Sequence, residues 1–467
     1  MRITMIICLA FALGLGPAGG ADAAGEFAVV TTTDFSTGSA SVIDLATRAV
    51  DVNVASVHSD AVARYYGGLV YVVNRTPADN IQILDPQNGF AIVRQFSTGN
   101  GSNPHDIVVV SPTVAYVTRY DSAVLWKMNP TTGTMTGSIN LASLADADGI
   151  PEMDQMSRIG NRLFVGVQRL DRANFYQPTG ASYLAVIDIT TDTLLDTDPG
   201  TSGTQPITLP APNPFSEVWL DLYSGALTVA CVGFFGLQDG GLARVDPYAL
   251  APAGIGFSET AAGGDVLDAV IVSPTLGFAI VVTPSFVTHL VIFDPQTGVK
   301  LATVYAPSDY VLNDVELAPT GEVYLADRTP TNPGVRVYDG ATATLVAGPI
   351  DVGLPPFDIC MSVPVQTAVT DAPPRAAAAL GPNYPNPFNP ATTIPFTLPA
   401  PGRARLAVYE VTGRRVRVLL DSPLDAGDHE ARWDGRDDAG RSVASGVYVI
   451  RLEAGGAVQS QTAVLLK

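Results

Sequence analysis

Seven acidic residues recur at the head of short apolar runs. They are Asp60 in HSDAVARYY, Asp106 in PHDIVVVSP, Asp154 in EMDQMSRIG, Glu217 in FSEVWLDLY, Asp268 in VLDAVIVSP, Asp314 in LNDVELAPT and Asp358 in PFDICMSVP. Two have a histidine close by, His58 near Asp60 and His105 beside Asp106. Carboxylates gathered at one place repel, so each must be hydrated, hydrogen-bonded, protonated or neutralised by a cation. One chemistry is cation binding: oxygen ligands suit Ca2+ or another divalent cation. Another is a His–Asp pair working as general base or metal ligand. A structural duty gives the same regularity, with each acid accepting backbone N–H groups of an adjacent loop. That reading is preferred here, because equal use of all seven positions is what a repeated duty produces. The nine residues form the candidate ligand or cation-binding set, and no catalytic residue is assigned.

Enzyme signatures do not help to choose. The chain has no G-x-S-x-G elbow, H-E-x-x-H pair or C-x-x-C-H haem site. It has no P-loop or EF-hand loop either. Longer insertions near 142–153, 170–182 and 196–216 bring Asp146, Asp148, Glu152, Arg169, Arg172, Phe175, Tyr176 and Phe215. Loops over a rigid scaffold often bind, and these side chains suit a sugar or peptide.

The elements that must position these residues are strands. An alternating strand, an aspartate and a turn recur as SVIDLATR, IQILDPQNG, LWKMNPTTG, LAVIDITTD, LARVDPYAL, LVIFDPQTG and VRVYDGATA. The turns open on Asp44, Asp85, Asn129, Asp188, Asp246, Asp294 and Asp339. Asp or Asn suits that position because its side chain bonds backbone two residues on. Gly89, Gly133 and Gly298 supply left-handed residues that close hairpins. A second strand precedes each turn, as in LVYVVNR, VAYVTRY and EVYLADR, and the acid-headed strand precedes that. A further strand follows the turn, as in FAIVRQFS. Four short strands per unit of roughly 40–60 residues make a propeller blade.

The ends of the repeat region imply a closed ring. FAVVTTT (27–33) opens at the second strand of a blade, and PFDICMSV (356–363) is an inner strand with nothing after it. Pairing them completes a seventh blade, and closure leaves only short sheet edges. The spacing thus predicts an all-β chain with a seven-bladed β-propeller over 26–364. In the propeller, the acid-headed strands would ring one mouth of the central channel. SNPHDIVVVSPTVAYVTRYDSAVLWKMNPTTG (102–133) and YVVNRTPADNIQILDPQNG (71–89) resemble the YVTN-type repeats of secreted bacterial and archaeal proteins. The resemblance implies the fold and leaves function open between binders, surface proteins and enzymes.

QTAVTDAPPRAAAALGP reads as a linker, placed at 365–382. About six alternating strands over 383–467 then predict a small Ig-like β-sandwich. NYPNPFNPATTIPF, LAVYEVTGRRVRVLL, WDGRDDAGRSVASGVYVIRL and the terminal VLLK resemble the C-terminal sorting domain of type IX secreted proteins. They also resemble the Ig-like domain of the flagellar hook-capping protein FlgD. This implies secretion machinery or the outer-membrane surface as partner of 383–467.

At the other end, Arg2, the apolar run Ile3–Leu15 and Ala21-Asp22-Ala23 have the layout of a secretory signal peptide over 1–23. The expected address is extracellular or on the surface of a Gram-negative-type bacterium. Three Cys exclude a disulfide scaffold, with Cys231 and Cys360 expected as buried thiols. Hydrophobic residues are 47% and charged ones 15%, which excludes a disordered acidic chain. A net charge of −19 argues against nucleic acid as a partner. Two readings follow. One is an exported, non-enzymatic binding or scaffold protein with an unknown protein, peptide or glycan ligand on the propeller. The alternative is a metal-dependent hydrolase, lactonase or lyase at the channel mouth.

Overall fold

The computed structural model describes residues 25–362, 379–381, 383–398, 402–410, 414–424, 427–454 and 457–466. The export signal expected over 1–23 and most of the expected linker lie outside the described residues. The chain divides into two compact units, Met1–Ala368 and Val369–Lys467. Among the described residues, no helix is long and apolar enough to cross a membrane.

The first unit is a seven-bladed propeller. Blade 1 joins Phe27–Thr33, Gly38–Asp44 and Val50–Val57 to the late strand Pro356–Met361. Blades 2 to 7 run 61–97, 104–140, 153–194, 219–258, 265–305 and 312–350. Blade 4 has an extra short strand, Ile207–Thr208, beside its third strand. The ring closes by antiparallel pairing of Ala28 with Met361, Val30 with Ile359 and Thr31 with Asp358. The Phe27 N–H also donates to Ser362 Oγ at 2.8 Å.

Burial follows position in the blade. The second strands Leu69–Asn74 and Glu322–Asp327 are buried almost throughout, because each sheet packs against a neighbour on both faces. The outer strand Ala91–Ser97 is largely exposed. The core therefore lies between blades. Val62, Tyr71 and Ile83 of blade 2, for example, pack with Ile107, Val117 and Met128 of blade 3.

All seven turn residues accept backbone N–H groups of their turns, six of them from two residues on and Asp44 from three residues on. Asp44 Oδ1 accepts from Thr47 N at 2.7 Å, and Asp85 Oδ1 from Gln87 N at 2.9 Å. Asn129, Asp188, Asp246, Asp294 and Asp339 each accept backbone N–H groups in the same way. Gly89, Gly133 and Gly298 are left-handed, at φ 59°, 71° and 66°.

The second unit is an Ig-like sandwich of two sheets. One orders Ala379–Leu380, Thr392–Leu398 and Gly427–Trp433. The other orders Arg415–Leu424, Gly402–Glu410, Gly446–Ala454 and Ala457–Leu465. Trp433 is fully buried between them, with Phe388 and Tyr448 rings at 5.3 and 5.0 Å and its Nε1 donating to Arg436 O at 3.0 Å.

Candidate functional site

Pairing with the second strand defines equivalent positions in the innermost strands. Ala63, Ile107, Met156, Ala269, Val315 and Ile359 each face the equivalent second-strand residue. The residue before each is Val62, Asp106, Gln155, Asp268, Asp314 and Asp358, and Glu217 holds the place in blade 5. The expectation of seven equivalent acids is therefore corrected to five. Asp154 stands one residue early: the ladder of blade 4 shifts register between Met153 and Met156 as that of blade 3 does between Pro104 and Ile107, which puts Asp154 at the place of His105 and Gln155 at the place of Asp106. Asp60 stands two residues early, ahead of the strand that begins at Ala61.

Four of the five acids tie one blade to the next. Asp106 Oδ2 accepts Met156 N at 2.7 Å, and Asp268 Oδ2 accepts Val315 N at 3.0 Å. Asp314 Oδ2 accepts Ile359 N at 2.6 Å, and Asp358 Oδ2 accepts Ala63 N at 2.8 Å. Each acceptor meets the N–H of the equivalent residue one blade on. Glu217, a methylene longer, instead reaches Arg64 Nη1 at 2.6 Å.

Arg64 occupies the channel that the inner strands surround. Its Nε meets Asp106 at 2.7 Å, and its Nη2 meets Gln155 Oε1 at 2.6 Å. Its Nη1 also donates to its neighbour's carbonyl, Ala63 O, at 2.7 Å. Burial alone would lower its pKa, but Asp106, Glu217 and Asp358 outweigh this and keep the guanidinium charged. One guanidinium does not balance the carboxylates around it. Burial pushes Glu217 up to about 7 and Asp268 up to about 6, and it raises Asp314, Glu316 and Asp358 as well.

Arg64, Glu217 and Asp268 separate two cavities and line both. The inner cavity, about 360 Å³, also meets Trp219, Glu316 and Cys360. Cys231 is buried as expected, whereas Cys360 is only partly so, because it faces this cavity. The mouth cavity, about 420 Å³, has Asp154, Asp314 and Asp358 in its wall and Phe175, Tyr176, Phe215, Phe235 and Tyr310 around it. These five aromatic side chains are exposed, and Phe175 reaches 90%. Phe215 and Phe235 meet edge to face with centroids 5.8 Å apart.

The two candidate histidines do not come together. His105 lies in the mouth, with Nδ1 2.8 Å from Asp154 Oδ1 and its ring stacked 4.0 Å from Tyr120. Burial, then Arg75, lowers its pKa, so the imidazole is neutral. A neutral imidazole oriented by a carboxylate has the geometry of a general base. His58 lies in a separate cavity with Asp60, where its Nδ1 accepts the Asp60 N–H at 3.1 Å. Asp60 pairs with Arg75 at 3.0 Å. Among the described residues, no group of three or more His, Cys, Asp or Glu is placed to hold a metal ion.

The insertion of blade 4 presents its aromatics on an anchored hairpin. Leu170–Asp171 pairs with Gln177–Pro178, and Phe175 and Tyr176 sit at the tip. Below the tip, Arg172 joins fully buried Glu152 at 2.7 Å and Asp121 at 2.6 Å. Glu152 Oε2 also accepts Leu170 N at 3.0 Å. Asp148 stands 3.7 Å from Arg172, and Arg169 lies over Tyr183 at 4.9 Å. Asp146 Oδ1 accepts the Asp148 N–H at 3.1 Å, outside the set that lines the mouth.

Residue-by-residue reading of the sequence missed Arg64, Gln155, Glu316 and Asn213. A signal for Arg64 was present: it is a lone arginine in the apolar run AVARYY, two residues beyond the acid position. Other blades have Val108, Ser157, Trp219, Val270, Glu316 or Cys360 at that place.

Residues 389–457 match the FlgD Ig-like domain family. No curated protein matches the chain. Among solved structures, apo AztD from Citrobacter koseri is similar at 13% identity and TM-score 0.45, over 72% of this chain and 98% of that one. The dihydro-heme d1 dehydrogenase NirN is similar at 15% identity and TM-score 0.45, over 72% of this chain and 75% of its own. Streptogramin B lyase is similar at 10% identity and TM-score 0.44, over 64% and 86%. At such identities a likeness bears on fold alone and says nothing of what this chain binds.

Proposed function

We propose that this is an exported, non-enzymatic propeller that binds a ligand at its channel mouth. In this reading the FlgD-like C-terminal domain serves secretion or attachment to the cell surface, and the repeats are of the YVTN type. The observation that carries the binding role is the ring of exposed aromatic side chains around an open cavity with acids in its wall. Exposed aromatics clustered around a pocket cost solubility unless they meet a partner. The insertion hairpin supports the same reading, because a buried Glu152–Arg172 pair fixes its exposed tip.

Two experiments test it. Phe175→Ser with Phe235→Ser should abolish binding of the cognate ligand in a panel of peptides, glycans and small amines, with an unchanged melting temperature. Retained binding would remove the mouth from the proposal. Deleting 383–467 should leave the propeller in the periplasm, and normal surface display of the truncated chain would overturn the sorting role. A second reading rests on the His105–Asp154 pair: a hydrolase or lyase at the mouth, with His105 as base and a divalent cation as its partner. It requires that His105→Gln abolish turnover and that purified protein contain stoichiometric metal.

A further inference from the structure

We infer that the mouth binds the protonated primary amine of a ligand with an aromatic or aliphatic body. The inference rests on the proposed binding role of the mouth and gives its ligand class. The first support is charge. Asp154, Asp268, Asp314 and Asp358 face the cavity, and the nearby cations are already engaged. Arg64 is held by Asp106 and Glu217, and Arg75 by Asp60 at 3.0 Å. His105 is neutral, because burial lowers its pKa. Asp358 shares Arg64 at 3.7 Å, so among the described residues an entering cation would find Asp154, Asp268 and Asp314 with no cationic side chain of their own.

The second support is independent of the acids. Asn213 lines the same cavity and is only 4% exposed. Its Nδ2 donates to Gly233 O at 3.3 Å, but its buried Oδ1 receives no hydrogen bond. A buried acceptor left without a donor costs about 1–3 kcal/mol, so its presence beside a cavity calls for a ligand N–H. Ammonium supplies three donors. The third support is the rim. Phe215, Phe235, Phe175 and Tyr310 line the cavity, where aromatic rings can meet both a cation and the body that carries it. A sugar would use the aromatics but not the uncompensated carboxylates. A divalent metal would use the carboxylates but not the aromatics.

The chemistry has two sources, a free amine or the side chain of a lysine in a polypeptide. Calorimetric titration of the full chain from residue 25 tests both. The probes are 2-phenylethylamine, its N-trimethyl analogue, 2-phenylethanol, a lysine-containing hexapeptide and a neutral oligosaccharide. The primary amine should bind at least tenfold more tightly than the alcohol. Asp154→Asn should weaken the amine about tenfold and leave the alcohol unchanged. Asn213→Gly keeps the left-handed backbone, φ 58°, that this position adopts. It should weaken the primary amine severalfold and spare the trimethyl analogue, which has no N–H. Asn213→Asp should tighten both cations. Tighter binding of the hexapeptide than of the free amine assigns the lysine source, and the reverse order assigns the free amine. Equal affinity for amine and alcohol, or no effect of Asp154→Asn, overturns the inference. Phe175-dependent binding of the oligosaccharide without amine binding overturns it too, but leaves the mouth as a binding site. No Phe175-dependent binding of any probe overturns both.

Discussion

Arg64 carries more contacts than any other single side chain of the channel. It holds Asp106, Glu217 and Gln155 at once, from one inner strand to three others. Removing it leaves fully buried Asp106 without its cation. Arg64→Met should destabilise the propeller by about 3 kcal/mol in urea titration, since breaking a buried ion pair strands its partner. Glu217 contributes less to that loss, because 40% of its side chain is open to the cavities. A silent Arg64→Met would show the channel network to be incidental. The turn glycines give a second residue-scale expectation. Gly89 has φ 59° and open space where a Cβ would stand. Gly298 has φ 66°, but its Cβ would stand 2.7 Å from Gly256 O. Gly89→Ala should therefore cost about 1–2 kcal/mol, the ordinary penalty of a left-handed residue. Gly298→Ala should cost clearly more in the same denaturation assay.

The links between blades belong to the element scale. Asp314 Oδ2 holds the Ile359 N–H of the next blade at 2.6 Å, and burial raises its pKa well above the carboxylate range. The bond needs an acceptor oxygen and gains nothing from the charge. Asp314→Asn should thus raise the melting temperature at pH 8, whereas Asp314→Ala should lower it by losing the acceptor, at about 1–3 kcal/mol. Equal effects of the two would show that Asp314 does not link the blades. Much of this scale was legible in the sequence. Seven Asp or Asn residues opened their turns as their chemistry requires, and the first and last strands paired. The inner acids were only partly legible. Asp154 and Asp60 look equivalent in the sequence, but Asp154 takes the place that His105 has in its own blade and Asp60 lies ahead of its strand, and no residue type marks either offset. Arg64 was hidden because repeat reading weighs what recurs, and it occurs once. Asn213 sits in a long insertion that no repeat covers.

At the scale of the whole molecule, burial of acids sets the response to pH. Fully buried Glu259 is raised from 4.5 to about 8, and Glu217 from 4.5 to about 7. The folded chain keeps these protons where the unfolded chain has released them. Stability is thus fully present below about pH 4.5 and falls as pH rises through 7 and 8. Turn aspartates such as Asp44 and Asp339 are lowered by hydrogen bonds and act oppositely, but only below their ordinary 3.8. The melting temperature should be higher at pH 5 than at pH 8, and Glu259→Gln should flatten the difference. A profile that rises toward pH 8 would contradict the buried-acid account. The same ring that buries these acids also holds the mouth open to solvent, with Asn213 Oδ1 unmet. A crystal structure of the full chain from residue 25, soaked with 2-phenylethylamine, tests this most directly. The expected result is ligand in the mouth, with its nitrogen in hydrogen-bond reach of Asn213 Oδ1 and its ring against Phe215 and Phe235. An empty mouth at saturating amine, or ligand found only on the outer strands, contradicts it.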